Sequence, residues 1–132
     1  MKIVLMSMPD VAAVIMHESA FHMPNNGIAS IAANVDEGHQ VNIIDLIRKR
    51  NRVRQYVTRT LLKIRPQVVG LSAMAWQYKT CTQLARLIKQ LLPGVKIVIG
   101  GYHATLMYEE IAASAEAAFI DFIIRGEGEE AF

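Results

Sequence analysis

The chain has 132 residues, of which 52% are apolar and 20% charged, with a formal net charge of +2. This is a folding composition of single-domain size, which excludes a disordered segment and any function needing two large domains within it. The lone cysteine, Cys81, excludes an internal disulfide framework and a cysteine-rich cluster, and no apolar run reaches the ~18–20 residues of a membrane helix. A reducing, cytoplasmic setting without a membrane partner is the expectation.

In chain order, Lys2–Met8 is a nearly unbroken apolar run and reads as a buried strand. A long connection, Pro9–Asn26, follows and carries His17, Glu18 and His22. Loops of that length are functional more often than shorter ones. Ile28, Ile31, Ala32 and Val35 repeat at helical spacing, with Gly38 as the expected C-cap. Gln40–Leu46 reads as a second strand, polar enough for a sheet edge. Val53, Tyr56, Val57, Leu61 and Ile64 form a helical stripe that Pro66 stops. Gln67–Met74 is a third strand. Cys81, Leu84, Ala85, Ile88, Leu91 and Leu92 form the clearest helical stripe, ended by Pro93 and Gly94. Lys96–Gly101 is a fourth strand, Met107–Ala117 an alanine-rich helix, and Phe119–Gly126 a fifth, edge-like strand.

Strands alternating with helices predict a parallel sheet with right-handed crossovers. Edge-like second and fifth strands predict the order 2-1-3-4-5. This is an α/β, flavodoxin-like (Rossmann-like), doubly wound five-stranded sheet with helices on both faces. Ligands of such sheets bind beyond the carboxyl ends of the strands at the topological switch. Three loops are thereby nominated: Met8-Pro9-Asp10, Ser72-Ala73-Met74-Ala75-Trp76, and Gly100-Gly101-Tyr102-His103-Ala104. Ser72 offers a small hydroxyl at a strand end. Gly100 and Gly101 remove side chains where a flat ligand or a neighbouring backbone could approach. Trp76 is placed either to wall a pocket or to pack under the third helix, and His103 to act as a ligand, a proton carrier or a helix-start residue.

Charge is unevenly spread. No acidic residue lies between Asp45 and Glu109, and all the cations except Lys2 and Arg125 lie in that stretch. A basic block of this kind is either a solvated helix face or a footprint for an anionic partner. Tyr56 is the only aromatic residue in its dense part, which argues against nucleic acid.

Several chemistries lack their residues. A flavin phosphate loop needs Ser/Thr and Gly after the first strand, where Pro9-Asp10-Val11-Ala12-Ala13 stands. The acidic pair of a phospho-receiver is missing. The formal Gly-x-Gly-x-x-Ala match at Gly126–Ala131 follows the last strand and carries glutamates that would repel a pyrophosphate. No hydrolase triad is legible, and His17 and His22, five apart, do not share a helix face for a metal.

Ser72-x-Met74 followed by Gly100-Gly101 resembles the Ser-x-Leu…Gly-Gly pattern of cobalamin-binding domains. Three stretches resemble those domains in cobalamin-dependent radical SAM proteins: Pro24–Asn34 with Gly38–Leu46, Gly100–Thr105, and Asp121–Glu129. The resemblance implies a module that holds cobalamin. A following barrel domain would hold an iron–sulfur cluster and S-adenosylmethionine and carry out methyl transfer or other radical chemistry. By resemblance, Ser72, Ala73 and Met74 lie near the cofactor's nucleotide tail, and Gly100 and Gly101 let that tail slot beside the strand ends. Met8, Pro9, Trp76, His103 and Ala104 would form the rim under the corrin ring, Tyr102 would also meet the cofactor, and Gly126 and Glu127 would lie near the junction with the barrel. Residues 1–126 would then be the cofactor module and 127–132 the start of a linker to the C-terminal radical SAM domain, with the present chain a truncated piece lacking catalysis of its own. The Asp-x-His-x-x-Gly motif that supplies a lower cobalt ligand in many relatives is absent. That departure leaves two outcomes. Either cobalt is held without a protein imidazole, or the chain is a cofactor-free interaction domain that docks a catalytic partner through its basic helices.

Overall fold

The computed structural model describes residues 1–10 and 25–132. His17 and His22 therefore lie outside the described residues. Strand β1 (Lys2–Ser7) is followed by α1 (Asn26–Asn34), β2 (Gln40–Asp45), a 3-10 turn at Ile47–Arg52 and α2 (Val53–Ile64). Then come β3 (Val68–Ser72), α3 (Tyr78–Leu91), β4 (Lys96–Gly100), α4 (Tyr102–Leu106), α5 (Tyr108–Ala113), a 3-10 turn at Ala115–Phe119 and β5 (Phe122–Ile123). All pairings are parallel, and the strand order is β2-β1-β3-β4-β5, as the alternation of patterns predicts.

The sheet sorts its side chains by parity. Val4, Met6 and Met8 of the first segment join Val69, Leu71, Ile97 and Ile99 in the main core, which α2 and α3 cover with Val57, Leu61, Cys81, Leu84, Ala85 and Ile88. Burial pushes the Cys81 thiol up to about 12, so it packs as a small apolar group and not as a nucleophile. The opposite face carries Ile3, Leu5 and Val68, packed on Ile28 and Ile31 of α1 and on Phe132.

Local chemistry sets the helix limits. The Asn25 side chain caps α1 by accepting from the Ile28 amide at 3.1 Å. The helix ends at Asn34, with Val35 already extended, so Gly38 is not its C-cap; it sits in the turn leading to β2. Helix α2 ends as Pro66 requires. Arg65, at φ 51°, is left-handed and donates its amide to the Leu61 carbonyl. The alanine-rich helix expected over Met107–Ala117 is instead broken into short pieces. Ser114 is extended, and its hydroxyl donates to the Ile111 carbonyl at 2.7 Å, competing with the helical ladder. The same segment shortens the fifth strand to Phe122–Ile123, because Phe119 closes the 3-10 turn.

Asp121 anchors that short strand. Its carboxylate accepts from Lys89 Nζ at 2.6 Å, Lys96 Nζ at 3.0 Å and the Ile97 amide at 2.8 Å. Burial alone would raise its pKa. The bonds from Lys89, from the Ile97 amide and from Lys96 outweigh that and hold it at about 2. A depressed folded value gives stability that is present above the ordinary carboxylate pKa and is lost as pH falls towards about 2. Asp121→Asn is therefore expected to cost about 1 kcal/mol at neutral pH, after solvent screening, and almost nothing near pH 2. Urea denaturation midpoints at the two pH values check this; an equal loss at both would contradict it.

Candidate functional site

The carboxyl ends of four strands lie level. Asp45 pairs with Ser7, Ser7 with Ser72, and Ser72 with Gly100. The Ser7 hydroxyl donates to Asp45 Oδ1 at 2.9 Å, and the Ile47 amide donates to the same oxygen at 3.1 Å, which locks β1 to β2 at this edge. Between β1 and β3 the chain turns to opposite faces, which leaves an opening there.

The loops after β3 and β4 are knitted together. The Ala73 amide donates to the Gly100 carbonyl at 3.2 Å, and the His103 amide to the Ala73 carbonyl at 3.3 Å. Gly101 has φ 94° and ψ −173°, a region open essentially to glycine alone. A Cβ there would lie 2.9 Å from the Ala73 carbonyl oxygen and 3.0 Å from Ser72 Oγ. Gly101 is therefore required by the close approach of two backbones. Gly100 differs. Among the described residues, a Cβ added to it would meet nothing nearer than Ile124, at 3.9 Å. Its missing side chain leaves open space.

That space belongs to a cleft of about 220 Å³ on the α1 face of the sheet. Leu5, Gly70 and Val98 line its floor, Ile28 and Ile31 of α1 one wall, and Ile124 with the segment Gly126–Glu129 the other. Ser72, Gly100 and Gly101 line the end nearest the sheet edge. Gly70 stands in the middle of a buried central strand, where a Cβ would lie 2.7 Å from Leu5 Cδ2 and 3.1 Å from the Phe132 ring. A glycine in that place marks close approach of another group. The far wall is held in place by specific bonds. The Gly126 amide donates to Thr105 Oγ1 at 2.9 Å, and Thr105 Oγ1 donates to the Gly101 carbonyl at 3.0 Å. The Arg125 guanidinium lies 3.8 Å from the centre of the Tyr108 ring, and the Ser30 hydroxyl holds the Glu129 carboxyl below its ordinary pKa.

Of the residues nominated from sequence, Ser72, Gly100, Gly101, Gly126 and Glu127 line the cleft. Met74 after β3, Trp76 in the 3-10 turn that follows and Tyr102 at the start of α4 are exposed, and none of them lines the cleft. His103 stacks on Tyr78, ring centres 4.3 Å apart, and burial raises the Tyr78 pKa. Met8 is corrected. One residue past β1, its side chain packs into the main core at 1% exposure, so only its backbone is at the strand end. Pro9 and Ala73 are buried too. The Gln77 side chain bridges the loops instead, donating to the Asp10 carbonyl at 2.8 Å and accepting from the Met74 amide at 2.9 Å. Among the described residues no group of three His, Cys, Asp or Glu side chains could hold a metal ion. Sequence reasoning missed Leu5, Gly70, Ile31 and Phe132; only Gly70, a glycine inside an apolar strand, carried a signal.

A model of the B12 binding domain matches residues 12–132. The chain belongs to this B12-binding family. It is 30% identical, over 98% of its length, to an uncharacterised methyltransferase of Pyrococcus horikoshii, of which it covers 28%. It is 28% identical, over 86% of its length, to an anaerobic magnesium-protoporphyrin IX monomethyl ester cyclase of Rubrivivax gelatinosus, of which it covers 20%. The chain thus spans between a fifth and a little over a quarter of these relatives. Its fold matches that of TsrM, a radical S-adenosylmethionine methyltransferase from Kitasatospora setae, with a TM-score of 0.70 and 16% identity, over 98% of this chain and 24% of that one. It also matches a cobalamin-binding protein of Desulfitobacterium hafniense, with a TM-score of 0.61 and 16% identity, over 98% of this chain and 54% of that one. Membership of the B12-binding family does not favour the cofactor-free reading. No described helix is long and apolar enough to cross a membrane.

Proposed function

We propose that this domain holds cobalamin with its nucleotide tail in the α1-face cleft and its corrin ring outside, over the exposed rim of Met74, Trp76 and Tyr102. The observation that carries this is the open space above Gly100, level with Ser72, at the mouth of an apolar cleft in a B12-binding chain. Size divides the ligand. About 220 Å³ lies below the ~300–1,000 Å³ usual for whole ligand pockets, so the cleft suits the flat base of the tail and not the corrin macrocycle. Leu5, Ile28, Ile31 and Val98 would bury the base. Ser72 and the backbone of Gly126–Glu129 would meet its polar edge.

When bound, the cofactor supplies a cobalt centre suited to methyl transfer or radical chemistry. This chain's own residues bind, orient and exclude water. The larger relatives support a further reading, that residues 1–126 are the cofactor module and 127–132 lead to a radical SAM domain carrying an iron–sulfur cluster and S-adenosylmethionine. On this reading the stretch after 126 serves twice, since it also walls the cleft.

Trp76, the only tryptophan, reports on the rim. Addition of hydroxocobalamin to the purified protein is expected to quench its emission saturably, and the corrin absorption band should survive desalting at near one equivalent. A folded protein, by circular dichroism, that retains no corrin would overturn the proposal.

A further inference from the structure

On the sheet face opposite the cleft, α2 and α3 lie against the main core, and a groove of about 710 Å³ runs along them. Val53, Leu84 and Leu87 contribute apolar surface to it, while Arg54, Lys79 and Arg86 reach it from both helices. Among the described residues Glu116 is the one carboxylate that lines it. A second hollow shares Val53 and Arg54 and extends the basic surface along α2 to Arg52 and Arg59.

We infer that this groove docks an acidic, amphipathic segment of a protein partner. The charge comes from the sequence itself, which places no acid between Asp45 and Glu109. At the far side of α3, Asp121 takes up Lys89 and Lys96. Among the described residues, the exposed side chains of Arg54, Lys79 and Arg86 face only Glu116 within the groove. Arg86 is held in place, its guanidinium 4.9 Å from the centre of the Phe119 ring. An apolar base under a cationic rim suits a peptide that alternates apolar and acidic side chains. A single-stranded nucleic acid would need open aromatic faces for stacking. Tyr56 and Phe119 each already have a cation over the ring, Lys49 at 5.4 Å and Arg86 at 4.9 Å. Because the groove and the cofactor cleft lie on opposite faces, the two would be occupied together, and this inference does not depend on cobalamin binding.

The test uses a fluorescein-labelled peptide of Glu-Glu-Leu repeats, followed by anisotropy on the purified protein with and without cobalamin. Saturable binding is expected, unchanged by cobalamin and weakened between about 50 and 200 mM salt. Arg54→Glu with Arg86→Glu should weaken it about tenfold or more, the scale of two surface ion pairs. Should that pair unfold, Arg54→Gln with Lys79→Gln should still weaken binding several-fold. Carbodiimide should couple the peptide to Lys79. Three results would overturn the inference. These are unchanged binding by the folded variants, coupling confined to Lys2 or Lys63, or tighter binding of a single-stranded oligonucleotide of equal charge. Peptide binding abolished by sedimentation-detected self-association would also overturn it, assigning the groove to a second copy of the chain.

Discussion

Gly100→Leu is expected to abolish cobalamin retention while leaving the domain folded. Among the described residues a Cβ at residue 100 meets only Ile124, at 3.9 Å, and the position lies at the end of a strand, so the backbone tolerates a side chain. The rest of that side chain enters a cleft of about 220 Å³ and takes the volume the base of the tail would fill. An aromatic base in an apolar slot buries ~100–150 Å², which contributes about 2.5–4 kcal/mol. Losing it should weaken binding about a hundredfold or more. The melting temperature should stay within a few degrees of the wild type, because the substituted side chain adds apolar contacts to Ile124 and its neighbours. Desalting retention and calorimetry on the same sample check both halves. Unimpaired retention would mean that the cleft does not receive the cofactor.

Gly101→Ala, one residue on, is expected to do the reverse. Its φ of 94° with ψ −173° costs a non-glycine residue about 1–3 kcal/mol. The added methyl also presses on the Ala73 carbonyl at 2.9 Å, a backbone group tied into the two-loop knit. The combined loss is about 2–4 kcal/mol, which for a domain of this size lowers the melting temperature by about 10 °C. Any fall in cofactor affinity should follow from displacement of the β3–α3 loop. A shift of Trp76 emission in the unliganded protein would report that displacement. A Gly101→Ala protein as stable as wild type would contradict this assignment of roles. The two adjacent glycines, indistinguishable in sequence, would thus separate into one kept for the ligand and one kept for the backbone.

That separation shows where sequence reasoning stopped. The central strands were legible because Val68–Leu71 and Ile97–Ile99 are apolar on both faces, as buried parallel strands are. Their order followed from the polar residues of Gln40–Asp45 and the weakness of the fifth segment. The end of that segment was not legible. Phe119 and Ile120 continue an apolar run, yet Ser114 diverts the chain into a 3-10 turn that ends on Phe119, and the strand begins only at Phe122. Ser72, Gly100 and Gly101 were found because topology alone brings strand ends together. Ile31 and Phe132 were missed because packing of α1 and of the segment after β5 places them on the cleft, and neither carries a local mark. Met8 was assigned to the rim from its loop position, and its inward-facing side chain carried no local mark.

Most direct for the central claim is a comparison of cobalamin with cobinamide, which keeps the corrin ring but lacks the nucleotide tail. Equilibrium affinities of both would be read from Trp76 quenching in the wild type and in Gly100→Leu. The account predicts that the wild type prefers cobalamin by about a hundredfold, and that Gly100→Leu removes this preference by weakening cobalamin alone. Equal affinity for the two compounds in the wild type, or an equal loss of both in the variant, would contradict it.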